Sequence, residues 1–192
     1  MKLWLVRHAQ PLVAAGICYG RLDMAADADA TAECAARLAK QLPGGLHVIS
    51  SPLQRCEQLA LALHALRPDL AYKTDARLQE MDFGQWEGRA WRDIDRSELE
   101  AWTGDFAQYA VGGDGESVTA FMARVGAAFD ALPDQGTALW ITHAGVIRAA
   151  ELLGNGVRHI ERADQWPLQA PNYGQWRTLD LHTGQAHHHT AL

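Results

Sequence analysis

The sequence predicts an α/β protein of three layers, α/β/α, with a mostly parallel central sheet and a small helical cap insertion. Three observations carry the prediction. Short apolar runs stopped by polar residues recur at Leu3-Trp4-Leu5-Val6, Leu46-His47-Val48-Ile49-Ser50 and Ala138-Leu139-Trp140-Ile141-Thr142. Runs of that length without clean alternation fit strands buried on both faces. Helical patterns lie between and after them, and such strand–helix alternation builds a doubly wound sheet. Finally, Gly174 to Leu181 alternates apolar and polar residues, as an antiparallel edge strand does.

The first helix is expected from about Asp29 to Leu42, where Pro43-Gly44-Gly45 ends it. A second is expected from Pro52 to about Leu66, with Ser51 as N-cap, Pro52 at the first helical position and Gln54 completing a capping box. A third covers Ser117 to Leu132, and a fourth follows His143-Ala144-Gly145. From about Phe83 to Gly115 the rhythm breaks. Trp86, Trp91, Trp102, Phe106 and Tyr109 crowd this stretch, which ends in Gly112-Gly113-Asp114-Gly115. It reads as a helical insertion over the sheet's carboxyl edge, most of its aromatics anchoring it to the core. No repeat or linker divides the chain, so residues 1–192 are expected to form one domain with a cap at about 83–115.

Composition narrows the function. The chain has 192 residues, 17 basic and 23 acidic, for a net charge of −6. At 48% hydrophobic and 21% charged it has enough apolar mass to fold. An acidic balance argues against a nucleic-acid or anionic-membrane partner, but a local arginine cluster still holds a small anion. Cys18, Cys34 and Cys56 are odd in number and lack Cys-x-x-Cys spacing. A disulfide framework, a zinc ribbon and a redox centre are therefore not expected, and these cysteines read as small buried residues in a reducing, cytoplasmic compartment. The start lacks the pattern of a secretory signal, and no run of 18 apolar residues marks a membrane span. The tail His187-His188-His189 reads as solvated, with no metal role. Nothing sets the oligomeric state, and a homodimer is carried as an expectation only.

The chemistry collects behind the strands. Arg7-His8 follows the first run, Ser51-Pro52-Leu53-Gln54-Arg55 the second and His143-Ala144-Gly145 the third. Strand carboxyl ends line the ligand crevice of an open α/β sheet. Two arginines and two histidines then meet helix N-termini, whose free N–H groups favour anions. Any one of these residues alone is an ordinary strand end, helix residue or packed histidine. Grouped, they repel, and no stabilising purpose accounts for them. Their joint placement points to an anion with several oxygens, for which phosphate is the natural candidate.

These segments also resemble, in order, the motifs of the histidine phosphatase, or phosphoglycerate-mutase-like, superfamily. The matching stretches are Leu5-Val6-Arg7-His8-Ala9, Ser51-Pro52-Leu53-Gln54-Arg55, Leu78-Gln79-Glu80-Met81-Asp82-Phe83-Gly84-Gln85-Trp86-Glu87-Gly88, Gly115-Glu116-Ser117 and Thr142-His143-Ala144-Gly145-Val146-Ile147-Arg148. One departure is that the family's usual Arg-His-Gly is here Arg-His-Ala, so Ala9 adds a methyl beside His8. The resemblance implies His8 as nucleophile, giving a phosphohistidine. It implies Arg7, Arg55 and His143 as grips on the non-bridging oxygens, with the backbone N–H groups of Ala144 and Gly145 adding to them. Each cation–anion contact near 4 Å is worth roughly 4 kcal/mol before desolvation at an effective dielectric near 20. Such cations neutralise the charge that other phosphoryl-transfer enzymes give to Mg²⁺, so no cofactor or metal is expected. Glu80 is implied as general acid, worth roughly 10²–10⁴-fold. Glu87, Asp82 and Glu116 are nearby rivals that residue order alone does not separate.

In the family, the loop after the nucleophile borders the substrate. Cys18-Tyr19-Gly20-Arg21 resembles the version in α-ribazole phosphatases, which remove a 5′-phosphate during cobalamin assembly. Tyr19 and a cap tryptophan would stack on a flat base, and Arg21 would add an anion contact. About 30 residues separate Phe83 from Gly115, a smaller insertion than phosphoglycerate mutases carry. A small cap admits water and favours hydrolysis over transfer. The alternatives are a broad-specificity or sugar-phosphate phosphatase, a mutase, and a catalytically silent binder of a phosphorylated ligand. With His8 neutral and Glu80 protonated, activity is expected to peak on the acidic to neutral side.

Overall fold

The computed structural model describes residues 1–181; the histidines at 187–189 lie outside the described residues. Five strands, β1 (Lys2–Arg7), β2 (His47–Ser50), β3 (Tyr72–Thr74), β4 (Thr137–Thr142) and β5 (Trp176–Asp180), form one sheet in the order β3-β2-β4-β1-β5. All neighbours are parallel except β5, which runs antiparallel along β1 from Lys2↔Asp180 to Val6↔Trp176. The mostly parallel sheet and its antiparallel edge match the sequence reading. Strand β3 escaped it, because Tyr72-Lys73-Thr74 is a three-residue, largely exposed edge with no apolar run.

Helices α1 (Ala28–Gln41) and α2 (Gln54–Leu66) pack together, as do α4 (Val118–Asp130) and α5 (Ala144–Gly154), while α3 (Arg96–Gly104) lies in the segment read as a cap. Side chains alternate across a strand, so one strand feeds two cores. Leu3 and Leu5 of β1, with Ala138 and Trp140 of β4, join Val118, Phe121, Val146 and Ile147. Val6, Leu139 and Ile141 instead join Cys34, Leu38, Cys56 and Leu59. Continuous apolar runs in β1 and β4 follow from this two-sided burial. Among the described residues, no helix is long and apolar enough to cross a membrane.

The expected capping box at Ser51 does not form. Helix α2 begins at Gln54 with Leu53 as N-cap and no side-chain cap. Pro52 stands before the helix, because Ser51 is drawn into the sheet instead: its N–H donates to Ile141 O at 2.9 Å. By contrast Ser117 does cap α4, accepting from the Ala120 N–H at 3.2 Å.

Residues 83–115 contain single 3₁₀ turns at Gly84–Trp86 and Trp91–Asp93 besides α3. Trp86 is fully buried, edge-on to Trp91 and Trp102, and its indole N–H donates to Glu98 Oε2 at 2.5 Å. Trp86, Ile94, Phe106 and Val111 share the core that holds Leu3 and Leu5.

Leu5 is fully buried at the centre of that core. Leu5→Ala should therefore cost about 2–5 kcal/mol. The check is the urea unfolding midpoint; a loss below about 1 kcal/mol would show that this layer does not carry the fold.

Candidate active site

Strand register assembles the site. Arg7 pairs with Thr142, so the next residues, His8 and His143, leave the sheet side by side. The His8 N–H donates to Thr142 O at 3.0 Å, which holds the two exits together. Ser50 pairs with Ile141, which places Ser51 next to them and Arg55 in the first turn of α2. A cavity of about 310 Å³ opens there, lined by Arg7, His8, Tyr19, Arg55, Glu80 and His143 among others. Ala144, Arg148, Ile17, Phe83 and Trp91 complete it. The structure thus brings residues of all three segments that follow the strands, and Glu80 with them, to one place.

The two imidazoles lie edge to face with centroids 5.2 Å apart. His8 Nδ1 lies 2.7 Å from Ala9 O, and since a carbonyl only accepts, Nδ1 carries the proton and Nε2 keeps its lone pair. Ala9 is buried and its φ is not positive, so its methyl needs no left-handed backbone. His143 Nε2 lies 2.8 Å from Ser51 Oγ. Burial first, then the Arg55 charge, pushes the His8 imidazole well below its ordinary value of 6.5. Burial, Arg55 and His8 do the same to His143. Both rings are therefore neutral at pH 7 in the free site.

Several arginines pair with carboxylates, as Arg67 does with Asp69, Arg77 with Asp75 and Arg124 with Glu116, whereas Arg37 and Arg148 donate to the carbonyls of Gly174 and Leu168. Arg7 and Arg55 have no carboxylate partner among the described residues. Arg55 is fully buried and donates to Gly20 O at 2.6 Å and Leu22 O at 2.9 Å. Arg7 donates to Pro171 O at 3.0 Å. The Nε of each is buried without a hydrogen-bond partner among the described residues. Two uncompensated guanidinium charges beside two neutral imidazoles describe a receptor for a multivalent anion.

Glu80 brings the carboxyl group to this cavity. Its oxygens accept from the Gly145 N–H at 2.9 Å and the Met81 N–H at 3.1 Å. A Cβ on residue 145 would collide with Glu80 Oε1, which explains glycine at that place. Gly145 N–H is thereby committed to Glu80. The rivals are engaged elsewhere: Glu87 accepts from the N–H groups of Arg21, Leu22 and Phe83, Glu116 pairs with Arg124, and Asp82 pairs with Arg21.

Not every expected contact is gathered. Arg21 donates to Asp82 Oδ2 and Gln79 Oε1, both at 3.1 Å, and does not line the cavity. Gly20 contributes its carbonyl to Arg55; its own missing side chain lets the loop press on Met81 O, which a Cβ would overlap. Cys18 is buried and its thiol is pushed up to about 12, chiefly by desolvation, and Cys56 is raised further. The sequence reading missed Tyr173, whose ring lies 5.6 Å from that of His8 and 3.9 Å from the Arg7 guanidinium carbon. No motif surrounds it. It also gave no role to Arg148, although that residue stands in the quoted His143 segment.

The description "Histidine phosphatase superfamily (branch 1)" matches residues 3–188. The chain belongs to the histidine phosphatase superfamily. An adenosylcobalamin/alpha-ribazole phosphatase of Salmonella typhimurium is similar to this histidine phosphatase family member at 30% identity, covering 97% of this chain and 93% of that one. The crystal structure of a phosphoglycerate mutase from Thermus thermophilus shares 30% identity and a TM-score of 0.71, covering 94% of this chain and 93% of that one. The native structure of mycobacterial glucosyl-3-phosphoglycerate phosphatase shares 26% identity with a TM-score of 0.75, covering 92% and 88%. Family membership and the phosphatases among these relatives support an enzyme of the phosphatase class.

Both histidines lie below 6.5 in the folded site, so fold stability is complete above pH 6.5. Below it the unfolded chain binds protons that the folded site refuses, and stability falls. The urea midpoint should drop from about pH 7 to about pH 5, and His8→Asn/His143→Asn should flatten that drop. An equal slope in the double variant would contradict neutral buried imidazoles.

Proposed function

We propose that this histidine phosphatase family member is a metal-independent phosphomonoester hydrolase working through a phosphohistidine, with α-ribazole 5′-phosphate as its substrate. The observation that carries the reaction is a pair of guanidiniums, Arg55 fully and Arg7 partly buried, without carboxylate partners among the described residues and flanking two neutral imidazoles. A phosphate dianion supplies the missing charge and accepts from the guanidinium N–H groups. The same dianion favours a cationic His143, turning that ring into a stronger donor as substrate binds.

The steps follow from the groups present. His8 Nε2 attacks phosphorus while the bond to the ester oxygen breaks. Glu80, held by the Gly145 and Met81 N–H groups, protonates the departing oxygen. Water then attacks the phosphohistidine, Glu80 takes its proton, and His8 returns to the neutral ring as inorganic phosphate leaves. Charge on the transferring phosphoryl group is met by Arg7, Arg55 and His143, with Ala144 at the start of α5 beside them. Arginine suits this work because its fork meets two phosphate oxygens at once.

For the substrate, two supports converge. The Salmonella typhimurium relative is named for α-ribazole and adenosylcobalamin. The outer cavity is lined by Ile17, Tyr19, Phe83 and Trp91, an apolar and aromatic wall suited to a flat leaving group.

Hydrolysis of p-nitrophenyl phosphate in EDTA tests the reaction. Wild-type protein should release phosphate, His8→Ala should abolish release, and Glu80→Gln should lose roughly 10²–10⁴-fold on alkyl esters. Wild-type protein that binds phosphate but releases none would make it a silent binder. In a panel ranked by kcat/KM, α-ribazole 5′-phosphate should exceed glucosyl-3-phosphoglycerate and the phosphoglycerates. The opposite ranking would overturn the substrate and leave the reaction standing.

A further inference from the structure

Arg7 leaves the end of β1 and Arg55 rises from the first turn of α2, yet a phosphate needs both guanidiniums at one spacing. Each sits on a long stem that loses rotamer freedom when fixed, and neither has a carboxylate among the described residues to fix it. Each does have an aromatic ring. The Arg7 guanidinium carbon lies 3.9 Å from the centre of the Tyr173 ring. That of Arg55 lies 5.5 Å from the centre of the Tyr19 ring. The two phenol oxygens meet at 2.6 Å, joining residues 154 apart in the chain. We propose that the Tyr19–Tyr173 hydroxyl bridge is a positioning device, locking together the platforms that carry Arg7 and Arg55 and so setting the width of the phosphate grip. The inference rests on the reading of Arg7 and Arg55 as phosphate ligands.

Both platforms stand on rigid ground. Beside Tyr173, the Gly174 N–H donates to His8 O at 3.0 Å and Arg7 O at 3.2 Å. Gly174 O accepts from Arg37 Nη2 at 2.8 Å, and Pro171 O holds Arg7 Nη1. The Tyr173 ring is thus tied to the nucleophile's own backbone. Tyr19 precedes Gly20, whose carbonyl holds Arg55 Nη2 and whose Cα presses on the Met81 carbonyl. A continuous chain results: Arg7 on Tyr173, Tyr173 to Tyr19, Tyr19 under Arg55. A guanidinium over an aromatic face gains from the ring quadrupole most where water is excluded. The simpler account is that two half-buried phenols satisfy each other and do nothing more. That account predicts lost stability with unchanged phosphate affinity.

The test uses Tyr19→Phe, Tyr173→Phe, the double variant and Tyr173→Leu. Readouts are the inhibition constant of inorganic phosphate, kcat and KM on p-nitrophenyl phosphate, and Tm. Each single Phe variant keeps its ring and loses the bridge, so phosphate inhibition should weaken about threefold to tenfold. KM should rise in step, with kcat changing less, because ground state and transition state use the same grip. The double variant should be no worse than either single one, since one bridge breaks once. Tyr173→Leu should weaken phosphate further by removing the platform under Arg7. Unchanged phosphate inhibition in both Phe variants, or losses that multiply in the double variant, would overturn the inference alone. Wild-type protein indifferent to phosphate would overturn the functional reading and this inference with it.

Discussion

The molecule is organised around positive charge gathered where water is scarce. Arg55 is fully buried, Arg7 partly so, and the dipoles of the Gly20, Leu22 and Pro171 carbonyls hold them. A carbonyl orients a guanidinium without cancelling its charge, whereas a carboxylate would cancel it and block an incoming anion. Cationic repulsion adds to desolvation at His8 and His143, and the two effects together keep both rings neutral. A free imidazole lone pair and an unmet anion requirement thus have one origin. Such a cluster works against the fold, and the surrounding structure has to offset it.

The scaffold offsets it by two-sided burial. Leu3, Leu5 and Trp140 pack toward α4 and α5, and Val6, Leu139 and Ile141 toward α1 and α2. With cores on both faces, β1 and β4 have little freedom, and the pairing of Arg7 with Thr142 carries that rigidity to His8 and His143. Glycine at 145 lets Glu80 lie against the first turn of α5, and glycine at 20 lets the loop that carries Tyr19 dock on the Met81 carbonyl. Segments far apart in the chain therefore reach the cavity on backbone that is already fixed, as a reaction dependent on placement requires.

The aromatic stretch from Phe83 to Gly115 divides its labour. Trp86, fully buried, and Phe106 belong to the core. Phe83 and Trp91, half-buried, pack against it and reach the cavity wall as well. The apolar side of the cavity is thus an extension of the folding core.

Residue order by itself determined much of this protein. Apolar runs marked β1 and β4 because burial on both faces leaves no polar alternation, a shorter run with His47 exposed marked β2, and the residues after each run had to fall at the carboxyl edge. Arg7, His8, Arg55 and His143 were legible for that reason, and the family motifs added Glu80. Tertiary structure alone decided the rest. Whether Ser51 caps a helix or meets His143 depended on the pairing of β2 with β4, a long-range register that local capping signals do not contain. Asp82, Glu87 and Glu116 are carboxylates of the same type as Glu80; beyond the motif that favoured Glu80, only the fold shows that those three are engaged by other N–H groups and arginines. Tyr173 has no local mark at all. It matters because β5 returns antiparallel along β1 and delivers the preceding loop to Arg7, and contacts between distant segments leave no periodicity in either one.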